Sequence, residues 1–214
     1  MKKGGTFMLR LYLVRHGQTE WNVQKRMQGW QDSALTEKGV NNAIALREKL
    51  EGVDFAAIYT STSERTIETA RLIIDKRNLA INTNEDLREI NLGEWEGKTH
   101  DEIKDFYPEQ YKYFLENPAL YEPAGGETFE QLINRAIKVL NYINSKHTDG
   151  NILVITHSVI LKSLLMHVKG KTVKDLWAPP FIHDTSLSIL EIEDGVHSLI
   201  SEGDITHLES VNVV

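Results

Sequence analysis

The sequence has 214 residues, of which 41% are hydrophobic and 26% charged, an ordinary balance for a globular chain and enough to bury a sizeable core. A formal net charge of −7 supplies no broad basic field, which excludes nucleic acid as a partner, although a few placed arginines can still receive a small anion. The absence of cysteine excludes disulfides, thiolate nucleophiles and cysteine-ligated zinc.

The start of the chain is basic but leads into Leu9–Val14, an apolar run that contains Arg10 and is too short for a signal-peptide core. No stretch approaches membrane-spanning length, so a cytoplasmic protein with no membrane partner is expected. Leu9–Val14 reads as a buried strand. Thr36–Leu50 reads as a helix with Val40, Ala43, Ile44, Arg47 and Leu50 on one face. Phe55–Tyr59 is a second strand, and Ser61-Thr62-Ser63-Glu64 is a capping-box pattern opening a helix to about Lys76. Leu79–Ile81 is a weak strand candidate. His100–Asn117 sets Asp101, Glu102, Asp105, Glu109 and Glu116 against Lys104 and Lys112, among Phe106, Tyr107, Tyr111, Tyr113 and Phe114. That composition suits an amphipathic helical pair, and a lid insertion is expected over 100–125.

After Gly125-Gly126, Glu127–Lys146 is the clearest helix, with Phe129, Leu132, Ile133, Ala136, Val139, Leu140 and Ile143 in one stripe. Asn151–Ile155 is a continuous apolar run, as in a strand covered on both faces. A helix over Ser158–Val168 follows, and Thr185–Glu193 reads as a last strand at a sheet edge. Alternating strands and helices predict an α/β fold, a three-layer α/β/α sandwich around a mostly parallel sheet. Residues 1–214 are expected to form one domain, with a core over roughly 9–205.

Four strings carry chemistry. In Leu13-Val14-Arg15-His16-Gly17, a strand ends in Arg-His, at the edge where open α/β sheets bind ligands. Gly17 lets the main chain come close to whatever His16 touches. Arg65 stands in the first turn of a helix, an unfavourable place for a cation unless an anion is bound there. His157 lies just past a buried strand and before a helix, and Asp86–Gly97 is a carboxylate-rich loop containing Glu89. Arginine matches phosphoryl oxygens as a forked donor, and neutral imidazole attacks phosphorus without prior deprotonation. A carboxylic acid near the anion can protonate the leaving alkoxide.

The string Leu13-Val14-Arg15-His16-Gly17-Gln18-Thr19-Glu20-Trp21-Asn22 resembles the signature of the histidine phosphatase superfamily, in its phosphoglycerate-mutase-like branch. The resemblance continues through Ser33–Gly39, Thr60-Ser61, Glu64-Arg65-Thr66, Leu87-Arg88-Glu89, Gly93–Gly97, Gly125–Thr128 and Thr156-His157, in family order from Leu9 to about Ile192. It implies the phosphoglycerate-mutase-like fold, a small phosphorylated substrate and no cofactor. It further implies that His16 carries a transient phosphoryl group gripped by Arg15, Arg65 and His157, with Asn22 adding a donor. Glu89 is implied as proton donor to the leaving group and then base toward water, while Gly17, Gln18 and Thr19 line the site. One departure is Ser158, where the family often has Gly or Ala; a serine there can cap the following helix, so an altered fit rather than lost activity is expected.

Rival readings are weaker. No two histidines have the helical spacing of a zinc motif, so no metal is expected, and His100, His147, His167, His197 and His207 read as residues without a role. His183 is a candidate for the pocket edge, and Trp177, Pro179, Pro180 and Phe181 for its closure. Gly93–Thr99 is one residue short of a nucleotide P-loop, and Glu94 and Glu96 would repel phosphates. A non-catalytic phosphate-binding module would not need both histidines and Glu89. Hydrolysis is expected over phosphoryl transfer, because five acids against two lysines over the site would receive a second anionic group poorly. The sequence implies no particular oligomer.

Overall fold

The computed structural model describes residues 8–209. The elements in chain order are β1 (Met8–Arg15), α1 (Glu20–Val23), α2 (Glu37–Lys49), β2 (Phe55–Thr60), α3 (Glu64–Ile74), β3 (Ile81–Thr83), α4 (His100–Phe106) and α5 (Pro108–Glu116). They continue with α6 (Phe129–Lys146), β4 (Gly150–Thr156), α7 (Ser158–Val168), β5 (Leu187–Glu193) and β6 (Val196–Asp204). The sheet order is β3-β2-β4-β1-β5-β6, parallel from β3 to β1 and antiparallel from β1 to β6.

Side-chain alternation along β1 makes two cores. Leu9, Leu11 and Leu13 join a cluster with Leu132, Ala136, Val139 and Leu140 of α6 and Ile160, Leu161 and Leu164 of α7. Tyr12 and Val14 face the opposite way, onto Ala43 and Leu46 of α2 and Ala70 and Ile73 of α3. Helices therefore cover both faces of the sheet, giving the three layers expected. Among the described residues no helix is long and apolar enough to cross a membrane. The basic start of the chain, 1–7, lies outside the described residues.

Several expectations are corrected. Of the face expected for α2, Ala43 and Leu50 are buried, but Val40, Ile44 and Arg47 are only half-buried, and the buried residues of the helix are Gly39, Asn42, Ala43, Ala45 and Leu46. Gly39 sets that rotation: a Cβ there would lie 2.2 Å from Gln18 O, so α2 packs end-on against the chain after His16. Helix α3 begins three residues after Ser61, with Ser63 at its N-cap, and Ser61 bonds elsewhere. The weak strand falls at Ile81–Thr83 rather than Leu79–Ile81. The last strand is not Thr185–Glu193 at an edge: β5 is interior and β6 is the edge, joined to it through Asp194 (φ 50°) and Gly195 (φ 80°). An Asp-Gly pair with both residues left-handed is the turn that favours a two-residue hairpin.

Candidate active site

β2, β4 and β1 are neighbours in the sheet and end together at their carboxyl ends. Main-chain bonds tie those ends to one another: His16 N donates to Thr156 O at 2.9 Å, and Ser61 N to Ile155 O at 3.3 Å. That stitching brings His16, Ser61 and His157 side by side.

His16 is 3% exposed, and its Nδ1 lies 2.7 Å from the carbonyl oxygen of Gly17. A carbonyl only accepts, so Nδ1 carries the hydrogen and Nε2 keeps a free lone pair. Burial pushes its pKa well below the usual imidazole value, and the Arg65 and Arg15 charges push it further. The His157 ring centroid is 5.2 Å away, and the two planes are inclined at 64°. His157 is fully buried, with its pKa held low by burial first and then by Arg65, His16, Arg15 and Arg135. Its Nε2 is 2.8 Å from Ser61 Oγ; with that hydroxyl donating, Nδ1 bears the hydrogen.

Arg65 is buried in the first turn of α3, as the sequence placed it, but its charge already has company. Nη1 donates to Asp32 Oδ1 at 2.8 Å and Gln31 O at 2.7 Å, and Nη2 donates to Gly29 O at 2.9 Å. Arg15 Nη1 donates to Ile182 O at 2.8 Å. What remains is informative: Nε of Arg15, Nε of Arg65 and Nδ1 of His157 are buried with no hydrogen-bond partner among the described residues. Each buried polar group left so costs about 1–3 kcal/mol, and these three belong to the residues whose charges and ring lie near His16, which makes them candidate donors to an anion.

Asn22 Oδ1 accepts from both Thr19 N and Thr19 Oγ1, at 3.0 Å each, and its Nδ2 has no hydrogen-bond partner among the described residues. Glu89 is 8% exposed; its Oε1 accepts from Ile90 N at 2.9 Å, and its Oε2 from Val159 N at 3.1 Å and Ser158 Oγ at 3.2 Å. Ser158 thus does not cap α7, whose N-cap is His157.

A cavity of about 390 Å³ is lined by Arg15, His16, Asn22, Arg65, Glu89 and Ser158, whereas His157, fully buried beside His16, is not among its lining residues. Gly17, Gln18 and Thr19 do not line it. Gly17 N donates to Thr69 Oγ1, Gln18 Oε1 accepts from Thr36, and Thr19 caps α1, so these residues hold the loop from behind. The glycine is needed for packing: a Cβ on Gly17 would lie 2.9 Å from Gly39 O.

The rest of the wall is mostly apolar, formed by Met27, Ile90, Leu92, Phe114, Leu115, Val159, Trp177 and Phe181. Pro179, Pro180 and His183 are absent from it, and His183 instead meets Phe181 edge-on, ring centroids 4.7 Å apart. The acids of 100–117 do not face the cavity. Only His100, Phe114 and Leu115 of that segment line it, while all five carboxylates are exposed. Glu102 caps α4 and Glu109 accepts from Tyr113, so counting charge along the segment misplaced it. Phe114, Tyr107 and Tyr111 pack on Trp95 beneath the helices, whereas Phe106 is exposed. Among the described residues no group of three His, Asp or Glu side chains is placed to hold a metal ion.

Sequence reasoning gave no site role to Asp32 and Ser61, which bond Arg65 and His157, or to Gln28, Lys25 and Arg26, which line the cavity. Asp32 meets Arg65 across 33 positions, a pairing that no local spacing announces. Arg26 is engaged with Gly97 O at 2.7 Å and Glu102 at 3.7 Å.

Residues 11–204 match the family described as the histidine phosphatase superfamily (branch 1). The solved structure titled Bacillus stearothermophilus YhfR superposes with a TM-score of 0.92 at 46% identity, covering 94% of this chain and 99% of that one. Phosphoglycerate mutase-like protein 4 of Arabidopsis thaliana is 33% identical over 93% of this chain and 86% of its own length. The metal-independent phosphoserine phosphatase of the same plant is 31% identical, over 94% and 84%.

Proposed function

This chain belongs to the histidine phosphatase superfamily, branch 1, and from that premise we propose that it hydrolyses small phosphomonoesters through a phosphohistidine formed on His16. The observation that carries the reading is a buried imidazole, kept neutral, with its tautomer fixed by Gly17 O beside three unpartnered buried N–H groups. Nε2 of His16 attacks phosphorus and the bond to the ester oxygen breaks. Nε of Arg15, Nε of Arg65, Nδ1 of His157 and Nδ2 of Asn22 hold the equatorial oxygens, where charge develops. Glu89 gives its proton to the departing alkoxide, then takes one from the water that attacks the phosphohistidine, releasing inorganic phosphate.

These cations do the work a metal would do, and a similar protein bears the name metal-independent phosphoserine phosphatase; metal-free turnover is part of the proposal. So are a lid role for α4 and α5 and a cytoplasmic location. The apolar wall favours hydrolysis, since the alcohol portion of the ester finds side chains without charge over most of the cavity. A second reading, phosphoryl transfer in a phosphoglycerate mutase, is favoured by Lys25 and Arg26 at the cavity. It is weakened by the commitment of Arg26 to Gly97 and Glu102. The test measures phosphate release from a panel of monoesters, and 3- to 2-phosphoglycerate interconversion with 2,3-bisphosphoglycerate supplied, on one preparation. Release should dominate; interconversion running well ahead of release would make the protein a mutase.

A further inference from the structure

Ser158 is the first residue of α7, where the resemblance leads one to expect Gly or Ala. Its hydroxyl lines the cavity and donates to Glu89 Oε2 at 3.2 Å. Two main-chain groups complete the set, Val159 N on the same oxygen and Ile90 N on Oε1. A proton donor that later acts as base alternates between carboxylic acid and carboxylate. Each carboxyl oxygen keeps a lone pair in both states, so all three donors can stay in place while the single acid proton points away from them. Of the three, Ser158 is the one side chain.

We propose that Ser158 is a positioning residue for the proton donor: its hydroxyl, the one side-chain partner of the Glu89 carboxyl, donates to Oε2 and so holds the carboxyl with its single proton free to face the ester oxygen. The inference rests on the reading of Glu89 as proton donor. As the P–O bond breaks, the proton of Glu89 moves to the alkoxide while the Ser158 hydroxyl keeps its hydrogen bond to Oε2. When water attacks the phosphohistidine, the proton it loses goes to Glu89, held in the same place. The main chain at Glu89 is held independently, its carbonyl accepting from Trp30 Nε1 at 2.9 Å and Arg135 Nη2 at 3.2 Å. Removing the hydroxyl therefore acts on the carboxyl and not on the loop that carries it.

The experiment compares kcat on an alkyl phosphate, whose leaving group needs a proton, with kcat on nitrophenyl phosphate, whose leaving group does not. Wild type, Ser158→Ala, Ser158→Thr and Glu89→Gln are measured side by side. Loss of a hydrogen bond to a charged group predicts that Ser158→Ala lowers the alkyl-to-aryl ratio about tenfold, through kcat and not KM. Ser158→Thr, which keeps the hydroxyl, restores the ratio. Ser158→Gly carries the same expectation as the alanine should that variant fail to fold. A wild-type ratio in Ser158→Ala beside a lowered ratio in Glu89→Gln overturns the role of Ser158 alone. Equal losses on both esters in Ser158→Ala overturn it too, by placing the hydroxyl on the phosphoryl group. An unchanged ratio in Glu89→Gln overturns the proton-donor reading and this inference with it.

Discussion

Asp32→Ala removes a residue that serves the site twice. Its Oδ1 holds the guanidinium of Arg65 at 2.8 Å, and its Oδ2 accepts from Glu64 N at 2.5 Å, where Ser63 makes no side-chain cap. Deleting one partner of a fully buried ion pair costs about 3–5 kcal/mol, whereas an exposed pair is worth about 0–1. Here Arg65 is 1% exposed, Asp32 is 31% exposed, and Arg65 keeps its two carbonyl acceptors. The case falls between those limits, and with the lost helix cap a destabilisation of about 1–2 kcal/mol follows. For a chain of this size that lowers Tm by about 2–8 °C. Arg65 is then free to turn its fork, and its Nε loses its aim, which should weaken inorganic phosphate as a competitive inhibitor about tenfold. Thermal melts and phosphate inhibition of nitrophenyl phosphate turnover read the two effects separately. Asp32→Asn, which keeps an acceptor for Glu64 N, should recover part of the melting temperature but less of the phosphate affinity. A full loss of stability with phosphate affinity intact would refute the argument, because Arg65 would then not depend on Asp32 for its aim.

Further expectations concern the acid, the metal and pH. Glu89→Gln should lose on the order of 10²-fold or more on an alkyl phosphate and much less on nitrophenyl phosphate; equal losses would move the proton donor elsewhere. Turnover should survive excess EDTA, and abolition reversed by a divalent ion would sink the mechanism. His16, His157 and His207 all have lowered pKa values, His207 at about 4, so protonation favours the unfolded chain. Their contribution is complete above about pH 6.5 and is lost as pH falls, with His207 alone costing about 2 kcal/mol at pH 5. Denaturant midpoints at pH 7.5 and pH 5 measure it, and equal midpoints would contradict the assigned burial.

The sequence made legible what depends on runs of apolar residues and on strand ends. β1, interrupted only by Arg10, and β4 over Ile152–Ile155 are apolar runs, and the residues that follow the strands, His16 and His157, meet because the strands are adjacent. Local patterns failed where a distant partner competed. Ser61 has the look of a helix cap, but its hydroxyl goes to His157 and Thr66, which shifts the start of α3. The face of α2 turned because the glycine at 39 must approach the backbone of Gln18. β6 escaped notice because its alternation is weak, with His197, Ser198 and Ser201 on a half-exposed edge; Asp194-Gly195 was the available signal. Charge counted along 100–117 carried no direction, so it could not reveal that those acids face away from the cavity while Lys25 and Arg26 face it.

The central claim is that His16 carries the phosphoryl group while His157 stabilises it, and quenched-flow trapping tests it directly. Enzyme mixed with labelled substrate and quenched in alkali, where phosphohistidine survives, should yield a phosphopeptide containing His16. His16→Ala should give neither label nor turnover. His157→Ala, lacking one positioned donor, should lose about 10²–10³ in rate yet still label at His16. Label mapping to His157, or turnover persisting in His16→Ala, would contradict the account.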